Sequence, residues 1–155
     1  MQENYIGIMC GTSLDSLDIS LCNFSKMNRV KYFRSYPIKW NLKEAINNCK
    51  QRPLNKKLRH ETNEEITNFI ISSLSKFFSQ CNIKNIKAIG FPGITIVHKP
   101  ERQVSVTLGD ARKIAKHFGI KVISDFRLTD MKHGGQGAPL APYFHAYISS
   151  NQDSF

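Results

Sequence analysis

The stretch Gly11-Thr12-Ser13-Leu14-Asp15-Ser16-Leu17-Asp18 concentrates a glycine, hydroxyls and carboxylates between an apolar run, Tyr5 to Met9, and an alternating run, Leu17 to Cys22. At a turn, a glycine opens backbone conformations closed to other residues. Successive N–H groups can then converge on an anion, with the Thr12 and Ser13 hydroxyls beside them. That chemistry suits a phosphate. Asp15 and Asp18 would repel a bare phosphate, so a divalent cation or sugar hydroxyls are expected to travel with it. An ordinary polar hairpin turn has the same composition, because Gly, Ser and Asp favour turns for local reasons. A second constellation lies near the other end of the chain. Asp125-Phe126-Arg127 follows a short apolar run and places a carboxylate and a guanidinium at a strand-end loop. Beyond it, Gly134-Gly135-Gln136-Gly137-Ala138-Pro139 is either a hinge or a binding loop, with the Gln136 amide able to read a hydroxyl or a carbonyl.

These groups need a scaffold, and the patterning supplies one. The two runs around Gly11 read as a β-hairpin, and Val30 to Tyr36, closed by Pro37, reads as a third strand. Leu42 to Cys49 has a short helical pattern. Thr62 with Glu65 forms a capping box that predicts the start of a longer helix, whose apolar face is Ile66, Phe69, Ile70, Leu74, Phe77, Phe78 and Cys81. Ile86 to Gly90 reads as a strand running into a Phe91-Pro92-Gly93 loop, and strand-end loops are where α/β folds bind ligands. A hairpin through Thr95 to Val97 and Val104 to Leu108 follows. Asp110 then caps a helix carrying Ile114, Ala115 and Phe118, and Lys121 to Ser124 makes a further strand. Ala138 to Tyr147 has helical spacing with Pro139 in its first turn. Three antiparallel strands followed by strand-loop-helix units predict an α/β, ribonuclease-H-like lobe, the unit duplicated in actin, sugar kinases and Hsp70 chaperones.

Composition narrows the function classes. A chain of 155 residues with 41% hydrophobic content can build one domain with a real core, and it has no apolar run of membrane-spanning length. The amino terminus lacks the basic-then-apolar pattern of a secretory signal, which points to the cytoplasm. Cys10, Cys22, Cys49 and Cys81 have neither zinc-site nor disulfide-scaffold spacing and read as reduced thiols. The net charge of +10 suits nucleic acid, anionic lipid or an anionic small substrate. Its densest cluster, Lys50, Arg52, Lys56, Lys57 and Arg59, contains no aromatic stacking residue and reads as a solvated loop, so nucleic acid ranks behind a small anion. The polar ending from Ser149 reads as a chain cut before its next element.

The first stretch, Ile6 to Asp18, and the last, Asp125-Phe126-Arg127 through Asp130 and Gly134 to His145, resemble anhydro-N-acetylmuramic acid kinases. Thr107-Leu108-Gly109-Asp110 and Gly119-Ile120-Lys121-Val122 stand in the same register. The resemblance implies ATP-dependent hydrolytic opening of 1,6-anhydro-N-acetylmuramic acid with phosphorylation of its 6-oxygen, in peptidoglycan recycling, with ATP and Mg²⁺ as cofactors. It implies that Gly11, Thr12, Ser13, Leu14, Asp15, Ser16, Leu17 and Asp18 form the nucleotide-phosphate hairpin. It also implies that Thr95, His98, Asp125, Arg127, Asp130, Gly135, Gln136 and Gly137 line the sugar cleft. Residues 1–155 are expected to be a single amino-terminal kinase lobe, truncated before the second lobe. The family's catalytic aspartate, in an Asp-x-Gly-Pro-Gly-Asn type segment, is expected beyond Phe155, and the metal ligands are not assigned. This chain departs from the family's Gly-x-His-Gly-Gln-Thr at Pro92 and Ile94, from two arginines at Leu128 and Thr129, and from a glycine at Ser16. The partners expected are the sugar and ATP, with a homodimer or a companion chain left open. The alternatives are a non-catalytic sugar- or nucleotide-binding remnant and, behind it, a basic nucleic-acid binder.

Overall fold

The computed structural model describes residues 3–24, 29–81, 83 and 85–150. Strands β1 (Asn4–Cys10), β2 (Ser16–Asn23) and β3 (Arg29–Pro37) form an antiparallel meander. Helices α1 (Trp40–Gln51) and α2 (Lys56–Cys81) follow, and β4 (Ile86–Gly90) then returns parallel to β1. A separate hairpin, β5 (Ile94–Lys99) and β6 (Val104–Leu108), precedes α3 (Ala111–Phe118). Next come β7 (Val122–Ile123), α4 (Phe126–Lys132) and α5 (Ala141–Ser150). The main sheet has the order β3-β2-β1-β4-β7, in which the meander is extended on one edge by two parallel strands. Such mixed order is what a ribonuclease-H-like lobe requires. No helix among the described residues is long and apolar enough to cross a membrane.

Strand β2 alternates strictly, with Leu17, Ile19 and Leu21 buried and Ser16, Asp18 and Ser20 half-buried on the other face, as period-2 geometry demands. Against the buried face, α1 sets Leu42, Ile46 and Cys49, while α2 sets Ile66, Ile70, Leu74 and Phe77 at three- and four-residue steps. Polar side chains of α2 tie this layer to the next helix. Asn63 Oδ1 accepts the Gly109 N–H at 2.8 Å, and Thr67 Oγ1 accepts the Asp110 N–H at 2.9 Å while donating to the Asn63 carbonyl. Asp110 in turn caps α3 as expected, accepting the Arg112 and Lys113 N–H groups at 2.9 and 3.0 Å.

Three expectations about element limits need correction. Thr62 does not open α2. The helix begins at Lys56, with Asn55 Oδ1 accepting the Leu58 N–H, and Thr62 lies inside it with only 2% of its surface exposed. A cap-type residue is also acceptable inside a helix once its face is buried, and the signature could not tell the two apart. Lys56, Lys57 and Arg59 therefore belong to the first turns of α2 and Lys50 to the last turn of α1, so the basic cluster is not a solvated loop. The last helix starts at Ala141 rather than Ala138. Pro139 precedes it after a cis peptide bond, and Pro142 takes the first-turn place that a ring without an N–H can fill.

Candidate functional site

The hairpin turn is closed by the Cys10–Leu17 pair and by a single backbone bond, Leu14 N–H to the Gly11 carbonyl at 3.0 Å. Among the described residues, the Thr12 and Ser13 N–H groups have no backbone partner. Gly11, Thr12 and Ser13 are exposed. The left-handed backbone expected of Gly11 belongs instead to Leu14, with φ of +58°, whose side chain is 2% exposed and anchors the turn in the core. A Cβ added at Gly11 would meet only Ser13 Oγ at 3.7 Å, so the turn itself does not require a glycine there.

Both carboxylates of the stretch are engaged within the fold. Asp15 Oδ1 takes the Lys43 ammonium of α1 at 2.9 Å, while the Asp15 carbonyl accepts the Ile38 N–H. The Lys43 hydrogen bond, and behind it Ser13, holds the Asp15 carboxyl below its usual range. Asp18 Oδ1 accepts hydroxyl protons from Ser16 at 2.8 Å and Ser35 at 2.6 Å, so Ser16 supplies a bond that a glycine there could not. Leu17 is wholly buried.

Beside the tip lies a cleft of about 140 Å³ whose walls include Gly11, Thr12, Lys50, Thr95 and Arg127. Pro92 and Gly93 separate it from a second cleft of about 360 Å³ that carries Asn63, Arg112, Ser124 and Asp125. Gly93 is needed where it stands. Its φ is +77°, and a Cβ would lie 2.6 Å from the Thr107 Cβ. Ile94 is 5% exposed and presents hydrocarbon to the first cleft.

Arg127 and Asp130 stand on helix α4, not in a loop as the residue pattern suggested. Between them they hold both backbone groups of Gly137: Arg127 Nη1 donates to its carbonyl at 2.9 Å, and Asp130 Oδ2 accepts its N–H at 2.7 Å. The Asp130 carbonyl also accepts the Gly135 N–H, and a Cβ at Gly135 would collide with the Asp130 carboxylate. His98 closes the other side, its Cε1 3.0 Å from where a Gly137 Cβ would sit. Among the described residues the buried His98 Nδ1 has no partner, nor does the hydroxyl of Ser105, its cross-strand neighbour. Gln136 is exposed on the loop so held, and Asp125, with φ of +58°, precedes α4.

The structure thus gathers Gly11, Thr12, Leu14, Thr95 and Arg127 around one cleft and puts Asp125 in its neighbour. It makes Asp130, Gly135, Gly137 and His98 the support of a loop. Residue types and spacing alone did not single out Lys43, Asn63 or Thr67, and they assigned Lys50 to a solvated basic loop. The two lysines stand seven residues apart on one helix, a spacing that puts both on one face and was the available signal. Among the described residues no three His, Cys, Asp or Glu side chains form a cluster able to hold a metal. A Mg²⁺ ion that arrives with nucleotide phosphates asks for only one or two protein carboxylates, so the acids near the tip fit that mode and not a dedicated cage.

A meander extended by parallel strands, with a polar turn at the β1–β2 tip facing strand-end loops, defines one lobe of the ribonuclease-H-like type from which sugar kinases are built. Within that class the model of the family described as anhydro-N-acetylmuramic acid kinase matches residues 3–155, and the chain belongs to that family. It is 36% identical over 151 residues to the anhydro-N-acetylmuramic acid kinase of Hydrogenovibrio crunogenus, covering 95% of this chain and 41% of the relative. To that of Sulfurimonas denitrificans it is 38% identical over 155 residues, covering 97% and 42%. To that of a Sulfurovum species it is 37% identical over 158 residues, covering 99% and 44%. The chain spans about two fifths of the length of these curated relatives.

Proposed function

We propose that this chain carries the nucleotide-phosphate hairpin and part of the sugar cleft of an anhydro-N-acetylmuramic acid kinase, acting in the cytoplasm on a sugar released from peptidoglycan. The reaction is ATP-dependent hydrolytic opening of the 1,6-anhydro bond with phosphorylation of the 6-oxygen. The observation that carries the reading is the shared cleft: the free turn of Gly11 and Thr12 meets Thr95 and Arg127 within one concavity. Family membership over residues 3–155 supplies the chemistry. In this reading the Thr12 and Ser13 N–H groups and hydroxyls receive phosphoryl oxygens, and Mg²⁺ comes with the nucleotide and shields its charge. The Arg127–Asp130 grip on Gly137 fixes the loop that offers Gln136 to the sugar.

Opening the anhydro bond also needs a base to activate water at the anomeric carbon, and no residue of this sequence matches the family's aspartate segment. A general base is typically worth about 10²–10⁴-fold in rate, so the chain by itself is expected to bind rather than turn over. The test is nucleotide binding by calorimetry to the wild type and to Gly11→Val. The variant should fold normally, because a Cβ at Gly11 meets only Ser13 Oγ at 3.7 Å, an ordinary van der Waals distance, and should lose nucleotide affinity, because a branched side chain occupies the approach to the turn N–H groups. Equal affinities would remove the phosphate assignment of this turn.

A further inference from the structure

Lys50 stands in the last turn of α1, half-buried, and its side chain lines the same cleft as Gly11, Thr12 and Arg127. Among the described residues it makes no ion pair. The acid of the turn loop, Asp15, is already held by Lys43, one full heptad earlier on the same helix. The second cation at the cleft is also incompletely engaged: among the described residues Arg127 makes one hydrogen bond, from Nη1 to the Gly137 carbonyl. Two cations and a turn whose Thr12 N–H has no backbone partner among the described residues therefore share a small concavity with no carboxylate in its lining. A lysine in the lining of a concavity that holds no acid offers its charge to an anion that enters. The field of Lys50 is felt at this spot, for it opposes the upward push that burial gives the Cys10 thiol.

We infer that Lys50, together with Arg127, is a receptor for the terminal phosphoryl oxygens of a nucleoside triphosphate, placed across the cleft from the hairpin turn. The inference rests on the phosphate reading of the turn and adds to it a residue contributed by α1. Lys50 meets the oxygens as a point charge, whereas Arg127 reaches them while still holding the Gly137 loop, so the arrival of the triphosphate and the posture of that loop are coupled through one guanidinium.

The experiment compares the 155-residue chain with Lys50→Gln, Lys50→Arg and Lys116→Gln, the last an equal change of charge on exposed α3, by calorimetry with inorganic tripolyphosphate, ATP, ADP and AMP. Loss of a charge-assisted bond to a phosphoryl oxygen predicts roughly ten- to hundredfold weaker binding of tripolyphosphate and ATP to Lys50→Gln. AMP binding should be nearly unchanged, Lys50→Arg should keep most of the affinity, and Lys116→Gln should match the wild type. A structural role would not follow the number of phosphates in this way. Circular dichroism and thermal unfolding identify a variant that fails to fold, and Lys50→Met, which keeps the side chain's length without its charge, then carries the test with the same expected loss. If Lys50→Gln binds tripolyphosphate and ATP like the wild type, the role of Lys50 is overturned while the turn assignment stands. If the wild type binds none of the four probes, the turn assignment and this inference both fall.

Discussion

Replacing Asp130 tests whether the carboxylate holds the glycine loop or meets the substrate. In the structure its Oδ2 accepts the N–H of Gly137, a buried residue, at 2.7 Å, a short bond with a charged acceptor. Asp130→Ala leaves that N–H in the protein without a partner, and an orphaned buried donor costs about 1–3 kcal/mol. For a chain of this length each kcal/mol moves the melting temperature by about 2–4 °C, so a fall of roughly 2–12 °C is expected. Asp130→Asn keeps an acceptor oxygen in nearly the same place and should lose about half as much. The assay is urea unfolding and thermal melting of the wild type and both variants, with binding of the anhydro sugar measured below the transition. If Asp130 is a scaffold residue, stability and affinity fall together, and Asp130→Asn restores both in part. Unchanged stability in Asp130→Ala, with sugar binding lost, would refute the clamp and return Asp130 to direct contact with substrate.

Two further outcomes follow from the geometry. Gly109→Ala should destabilise the chain by about 2–5 kcal/mol in urea unfolding, from a side chain at φ of +100° and a Cβ placed 2.5 Å from Phe91 Cζ in the core; a loss under about 1 kcal/mol would contradict it. Asp15, whose carboxyl is depressed by Lys43, should contribute stability above its ordinary value of 3.8 and lose it as pH falls through the depressed value. Melting temperatures of the wild type and Asp15→Asn should therefore differ by a constant amount near neutral pH and converge in acid, and a gap that widens in acid would reverse the assignment.

The fold was legible where a period was clean. The alternation of Leu17, Ile19 and Leu21, the helical steps from Ile66 to Phe77 and the Asp110 cap each express one local rule, and each stands as read. The start of α2 was not legible, because a Thr-x-x-Glu signature does not say whether burial or capping placed the threonine. The site divided in the same way. Gly11 was noticed for its residue type, yet the unusual backbone falls on Leu14, where a buried side chain fixes a conformation that no residue preference announces. Arg127 and Asp130 were legible as a charged pair near a glycine run, but their joint hold on Gly137 depends on α4 continuing through both. A short helix after a two-residue strand leaves a weak periodic signal. Lys43 was hidden in the general basicity of the chain, and Lys50 was read as part of a solvated basic loop.

On the proposed phosphate reading, that basicity explains how a turn rich in acids could receive the ligand. Asp15 and Asp18 follow the Thr12 and Ser13 N–H groups, which have no backbone partner among the described residues, and bare carboxylates there would repel an anion. Lys43 neutralises the first, and two hydroxyl protons converge on one oxygen of the second. On the proposed reading an anion approaching the turn meets Lys50 and Arg127 in the lining of the cleft, which contains no carboxylate. Seven residues on α1 separate the lysine that shields the acid from the lysine that faces the cleft, so one helix performs both tasks from one face. Packing of Leu42, Ile46 and Cys49 fixes the helix that carries both cations. A cavity made at Ile46, which touches neither carboxylate nor cleft, would for that reason be felt at the phosphate turn as a loss of affinity and not as a loss of stability alone.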